Sequence, residues 1–141
     1  MRLARLTIFN AEVPSQNQWD RFHFRKRHKI KGSWRLLVIA ARNARQDNPV
    51  GHWEPEDGYT PAVKGEKRRI VVTHFRRRLC DEDNLTAASK SLIVDNVKGR
   101  PLWFVWDDDV RHAQIRIFQH PVPVSLPMIR VEIFSLNEKA P

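Results

Sequence analysis

Two aspartates, Asp81 and Asp83, stand two residues apart just after a segment of strand-forming composition. In extended backbone, side chains two residues apart project to the same side, so this pair forms half of an oxygen-ligand site for a hard cation such as Mg²⁺. The aspartates at 107–109 would supply the rest if the fold brings them close. Lys90 follows Asp83 by seven residues, which on a helix returns it to almost the same face. These residue types suggest metal-assisted chemistry on a phosphate ester.

Each acidic motif also has a plainer explanation. An aspartate followed by Asn84 before an apolar segment is usually a helix N-cap, and the run at 107–109 alone is most often a solvated turn. The arginines at 76–78 would on their own form a solvated face. The functional interpretation gains weight because all three motifs occur together in one strongly basic chain.

The net charge of +9 is unevenly distributed along the chain. Residues 21–35 hold seven positive charges and no acid, whereas residues 81–109 hold seven acids and three bases. The basic excess points to a polyanionic partner, either nucleic acid or an acidic membrane surface. An acidic centre repels phosphate unless a cation lies between them, which favours a divalent metal ion. The side chains expected to contact DNA phosphates are Arg25, Lys26, Arg27, Lys29, Lys31, Arg76, Arg77 and Arg78.

Length and composition limit the classes of protein to which the chain could belong. The 141 residues, 41% of them hydrophobic, suit one domain over 1–141 with a modest core. The single cysteine, Cys80, excludes an internal disulfide and a multi-cysteine zinc site. Apolar runs fall short of the ~18 residues of a membrane span, and residues 1–12 alternate like a strand rather than a signal peptide. We expect a cytoplasmic, DNA-associated protein without a membrane or small-molecule partner.

Hydropathy patterns predict four strands, over 3–9, 68–75, 113–119 and 128–135. Two amphipathic segments, 34–46 and 84–97, predict helices, the second capped by Asp83 or Asn84 and ended by Lys98-Gly99. The segment 47–66 is rich in proline, glycine and polar residues and is predicted to be a long loop. The order β-α-β-α-β-β indicates an α+β (mixed α/β) domain with a mixed sheet and two main helices.

The string RRRLCDEDNLTAASKSLIVDNVKG, followed by WDDD at 106–109, resembles the RusA-type Holliday junction endodeoxyribonucleases and their phage-borne relatives. The resemblance rests on arginines, then D-x-D-N-L, then a lysine and an aspartate (Asp95) on the next helix, then a D-D pair after an apolar segment. Near the N-terminus, the segment PSQNQ at 14–18 resembles the P-S-x-N segment of the same family. The long loop 47–66 is the main part without a match.

The resemblance implies a homodimeric, Mg²⁺-dependent nuclease, with Mn²⁺ as an alternative metal, that cuts four-way DNA junctions by paired nicks in recombination and repair. The catalytic residues would be Asp81, Asp83, Asp108 and Lys90, and the metal ligands Asp81, Asp83, Asp108 and Asp109. Asp108 belongs to the D-D pair under either alignment of the three aspartates. One branch of the family has its lysine four residues after D-x-D, where this chain has Ala87. Lys90 fits the phage-like spacing, which also makes a phage or prophage origin an expectation.

Two other functions stay open on the sequence. The chain could be a non-catalytic nucleic-acid-binding protein whose acids cap helices, or a nuclease for flaps or replication forks. The aromatic residues Trp19, Phe22, Phe24 and Trp34 could stack on unpaired bases or pack in the core. The six histidines lack a second soft ligand at usable spacing and predict no zinc site.

Overall fold

A computed structural model of the chain describes residues 1–11, 21, 25–26, 29, 40, 50–77, 79, 85–86, 89, 104–105, 109–123 and 126–136. Within these residues, five strands form one mixed β-sheet. The strands are β1 (Arg2–Phe9), β2 (Gly51–Pro55), β3 (Arg68–Arg76), β4 (Ala113–Pro121) and β5 (Met128–Ser135).

The strands lie in the order β2-β1-β5-β3-β4. β1 pairs antiparallel with β2 and β5, and β5 pairs antiparallel with β3, but β3 and β4 are parallel. Parallel neighbours need a crossover rather than a hairpin, so the connection from Arg76 to Ala113 must lead from one end of the sheet back to the other. All the predicted acidic residues belong to this connection.

One side of the sheet, which we call the inner face, carries the hydrophobic core. Leu6, Val72 and Val131 lie side by side on adjacent strands and are fully buried. Burial of each such side chain contributes about 1.5–3 kcal/mol. The described core contains Ala4, Leu6, Ile8, Ala11, Ile70, Val72, Leu85, Phe104, Val105, Ala113, Ile129, Val131 and Ile133. Because Leu85, Phe104 and Val105 lie between β3 and β4 in the chain, the crossover packs on the inner face at these residues.

The four predicted strands are confirmed to within two residues at each end. They are rich in Ile, Val and Phe, whose branched or aromatic side chains pack well on a pleated surface. Burial alternates along β1 and β5, as expected for strands with one side on the core.

The prediction of an α+β domain with two main helices is wrong. Strand residues make up 51% of the described chain and helical residues 11%, and no described element is a helix. The segments 34–46 and 84–97 lie largely outside the described residues, although Ala40, Leu85 and Ser89 within them have helical backbone. Helical periodicity in a sequence is only weak evidence that a helix forms. Most of the described core is instead buried by the pairing of strands rich in β-branched residues. The described fold is therefore a mixed β-sheet.

The predicted long loop 47–66 is also corrected, because it contains β2. This strand lies at the edge of the described sheet and pairs there with a single neighbouring strand, β1. Trp53 is its one large apolar side chain, and it stacks on Phe104 with ring centroids 5.6 Å apart. The sequence did not predict this strand because it is short, has polar flanks and ends at Pro55, a residue that is uncommon within strands.

Arg68, at the start of β3, is only 1% exposed and joins the loop before β3 to the crossover. Its Nε donates to the Glu66 carboxylate at 2.7 Å, and its two terminal nitrogens donate to the carbonyl oxygens of Thr60 at 2.7 Å and Phe104 at 3.4 Å. The guanidinium also lies 5.5 Å from the centroid of the Tyr59 ring. A buried charge is tolerated when it is paired and hydrogen-bonded in this way.

Candidate functional site

Most of the predicted acidic centre lies outside the described residues. Asp81, Asp83, Lys90 and Asp108 belong to that group, whereas Asp109 is described. Cys80, Asp95 and the aromatic residues Trp19, Phe22, Phe24 and Trp34 also lie outside the described residues. The described neighbours of the acidic residues do show how the crossover is attached to the sheet.

His74 and Ser89 attach the middle of the crossover to β3. The His74 Nε2 and the Ser89 Oγ lie 2.7 Å apart, and both residues are fully buried. Leu85, one helical turn before Ser89, is buried in the core. These contacts hold Leu85, the last residue of the D-x-D-N-L motif, and Ser89 against the inner face.

Burial lowers the pKa of His74 from 6.5 to about 4, with a smaller contribution from the nearby Arg76 charge. The ring is therefore neutral at physiological pH, and its Nδ1 has no hydrogen-bond partner among the described residues. A neutral ring can donate or accept at Nε2 according to its tautomer. The sequence suggested nothing for this residue, because a histidine in an apolar strand is usually part of the core.

Asp109 is part of a hydrogen-bonded turn before β4. Its Oδ1 accepts the His112 backbone N–H at 3.0 Å and the His112 Nδ1–H at 2.7 Å. The Nε2 of the same ring accepts the Gly65 backbone N–H at 3.0 Å, so the neutral ring carries its proton on Nδ1. Desolvation on its own would raise the pKa of Asp109, but the hydrogen bonds from His112 and from the Arg111 backbone together outweigh it, so the pKa is lowered. This carboxylate thus has a structural role in joining two loops.

Two described residues near the predicted acidic motifs, Ser89 and Asp109, lie toward opposite ends of β3. Ser89 contacts His74, whereas Asp109 lies just before Ala113, which pairs with Arg68. Six residues of strand separate His74 from Arg68, or about 20 Å.

The predicted phosphate contacts differ in accessibility. Arg25, Lys26 and Lys29 are exposed, and Arg77 is exposed just beyond β3. Arg76 is only 6% exposed, and its charge acts on the nearby His74 ring. Arg76 is therefore less accessible to DNA than Arg77. Arg27, Lys31 and Arg78 lie outside the described residues.

The other side of the sheet, which we call the outer face, carries arginine and aromatic residues that the sequence interpretation missed. Arg116, Phe118 and His120 alternate along β4 and are exposed. The Phe75 and His120 rings stack with centroids 5.6 Å apart, and the Arg130 guanidinium lies 5.3 Å from the Phe75 centroid. The alternation of Arg, Phe and His with Ile in this segment was the signal that could have found this surface.

No group of three or more His, Cys, Asp or Glu among the described residues is arranged to hold a metal ion. The carboxylates of Asp81, Asp83 and Asp108 fall outside that set, and their oxygen donors suit Mg²⁺ by chemistry. None of the helical residues in the described part of the chain forms a helix long and apolar enough to cross a membrane.

Comparison with protein-family models, with curated proteins and with solved structures finds no match for this chain.

Proposed function

We propose that the protein is a Mg²⁺-dependent, structure-selective endodeoxyribonuclease that cuts four-way DNA junctions by paired nicks. The observation that carries the proposal is the D-x-D-N-L motif with Lys90 and the later aspartates, in a chain with a strongly basic segment at 21–35. The anchoring of Leu85 and Ser89 on the inner face supports it, because a metal site needs a rigid support for its ligands.

Asp81, Asp83 and Asp108 would hold the metal, and Mn²⁺ could replace Mg²⁺. When bound, such an ion polarises the scissile phosphate and activates a water for attack at phosphorus. The Lys90 ammonium would stabilise the additional negative charge of the transition state. The exposed Arg25, Lys26, Lys29 and Arg77 would neutralise phosphates of the junction arms, so affinity would fall steeply as salt increases.

The contacts of Asp109 support a choice among the three consecutive aspartates. Both hydrogen bonds from His112 end on one oxygen of Asp109, and they orient its carboxylate toward the turn. We therefore assign the D-D pair of the proposed site to Asp107 and Asp108. Asp109, a predicted ligand, becomes the residue that fixes the turn after them.

A labelled synthetic four-way junction, incubated with the purified protein and Mg²⁺, tests the proposal. We expect metal-dependent nicks that vanish in Asp83→Asn and persist in Asp57→Asn, a matched change at an exposed turn. Full activity of Asp83→Asn would contradict the assigned site. Flap, fork and linear duplex substrates in parallel reveal whether the junction is preferred, and sedimentation of the protein–junction complex tests the homodimer that two nicks require.

The second candidate is a non-catalytic nucleic-acid-binding protein. The arginine and aromatic residues on the outer face favour it, because such surfaces bind nucleic acid without any metal. Binding of the junction without cleavage in Mg²⁺ or Mn²⁺ would support this second function over the first.

A further inference from the structure

The half of the outer face formed by β3 and β4 is basic and contains no acid. We call it the β3–β4 surface and define it by Arg69, Phe75, Arg116, Phe118 and His120. Neither strand contains an Asp or Glu. The nearest outer-face carboxylate is that of Glu132 on β5, which lies 3.2–3.5 Å from the guanidinium nitrogens of three arginines, Arg2, Arg5 and Arg130. Among the described residues, no carboxylate forms an ion pair with Arg69 or Arg116, and the surface therefore presents positive charge to solvent.

Aromatic rings follow Arg69 and Arg116 along the β3–β4 surface. Phe118 is 51% exposed, although a large apolar ring would normally be covered. Phe118 pairs with Thr73 across the strands, and Phe75 pairs with His120 in the next outer-face row, where the two rings stack. Arg116, Phe118 and His120 follow one another along β4 at intervals of about 6.6 Å, so a positive charge is followed by two rings on the same face.

We propose that the β3–β4 surface binds single-stranded nucleic acid, with bases stacked on Phe118 and on the Phe75–His120 pair, and phosphates held by Arg116 and Arg69. Exposed rings on a sheet can stack on unpaired bases, whereas the bases of a duplex are already stacked. Arginine supplies both charge and planar stacking. A polyanion also matches the absence of acids in the two strands. This binding goes beyond the proposed cleavage and does not need the acidic centre.

Fluorescence anisotropy of a labelled oligothymidylate in EDTA tests the proposal, because EDTA separates binding from any metal-dependent cleavage. We expect Phe118→Ala to weaken binding about fivefold or more, while Phe118→Tyr retains the wild-type affinity. Val63→Ala, which shortens an equally exposed apolar side chain in the loop before β3, is the matched control and leaves the affinity unchanged.

The dependence on salt separates charge from stacking. Arg116→Ala should reduce the slope of log K against log salt by about 0.7, the value for one phosphate contact on a single strand. Lys64→Ala removes one charge from an exposed turn outside the sheet and should leave the slope unchanged. Phe118→Ala should lower the affinity without changing the slope.

An abasic oligonucleotide of the same length provides the sharpest test, since it keeps the phosphates and lacks the bases. The difference between wild type and Phe118→Ala should disappear with this probe. The proposal is overturned if that difference persists, if Phe118→Ala and Arg116→Ala bind oligothymidylate like the wild type, or if Phe118→Ala changes only the oligomeric state in sedimentation. Because the assay contains no active metal, a failure here leaves the proposed nuclease activity to its own experiment.

Discussion

The Nε2 of His74 on β3 lies 2.7 Å from the Oγ of Ser89, and this contact is fully buried. It joins the sheet to the crossover that leads from β3 to the parallel strand β4. Ser89 directly precedes Lys90, the proposed transition-state lysine, and follows the D-x-D motif by six residues. This buried contact therefore holds in place the residue next to Lys90, in the segment to which the proposed chemistry is assigned.

We expect His74 to make the protein less stable in mild acid. Its folded-state pKa is about 4, below the ordinary 6.5, so the unfolded chain takes up a proton first as pH falls. The contribution is fully present above pH 6.5, is lost between pH 6.5 and 4, and amounts to about 3 kcal/mol. Urea unfolding at pH 7.5, 5.5 and 4 measures it. His74→Gln should flatten this dependence, whereas His120→Gln on the exposed surface should retain it; equal slopes for both variants would contradict the prediction.

Arg68→Met should lower the free energy of unfolding by about 3 kcal/mol, because the half-buried Glu66 carboxylate and two carbonyl oxygens lose their donor. Arg69→Met, one residue further along the exposed outer face, is the matched control and should change stability by less than about 0.5 kcal/mol. Urea unfolding compares the two variants. Equal stabilities would show that Arg68 does not hold the loop and the crossover together.

Leu85→Ala should lower the free energy of unfolding by about 3 kcal/mol, since a fully buried leucine leaves a cavity when it is shortened. Leu79→Ala, at a position that is 55% exposed, should change it by less than about 0.5 kcal/mol. Denaturant unfolding of both variants measures the difference. A negligible effect at Leu85 would contradict the packing of the crossover on the inner face.

The three consecutive aspartates should respond differently to removal of their charge. Asp108→Asn should reduce junction cleavage about a hundredfold or more, as expected when a metal ligand is lost. Asp109→Asn should leave most of the cleavage activity, because the carboxylate of Asp109 is bonded to His112. Rates of junction cleavage under single-turnover conditions measure both effects. The reverse order of the two variants would assign the D-D pair to Asp108 and Asp109 instead.

Four of the five described strands can be predicted from local patterns in the sequence. Alternating Ile, Val and Phe residues leave little choice of local structure, as in residues 128–135. It also supplied the D-x-D-N-L motif and the basic segment 21–35, since both are patterns in residue type and spacing. The edge strand β2 escaped prediction because Trp53 is its only large apolar side chain.

Which residues share a face or lie near each other depends on the tertiary structure. His74 and Arg68 lie about 20 Å apart along β3, and the parallel pairing of β4 with β3 places the turn that contains Asp109 at the Arg68 end of the strand. It also stacked Phe75 on His120, 45 positions apart in the chain, and brought the His112 ring to the backbone N–H of Gly65, 47 positions away. Such long-range contacts depend on strand order and register, which no local pattern of residues specifies.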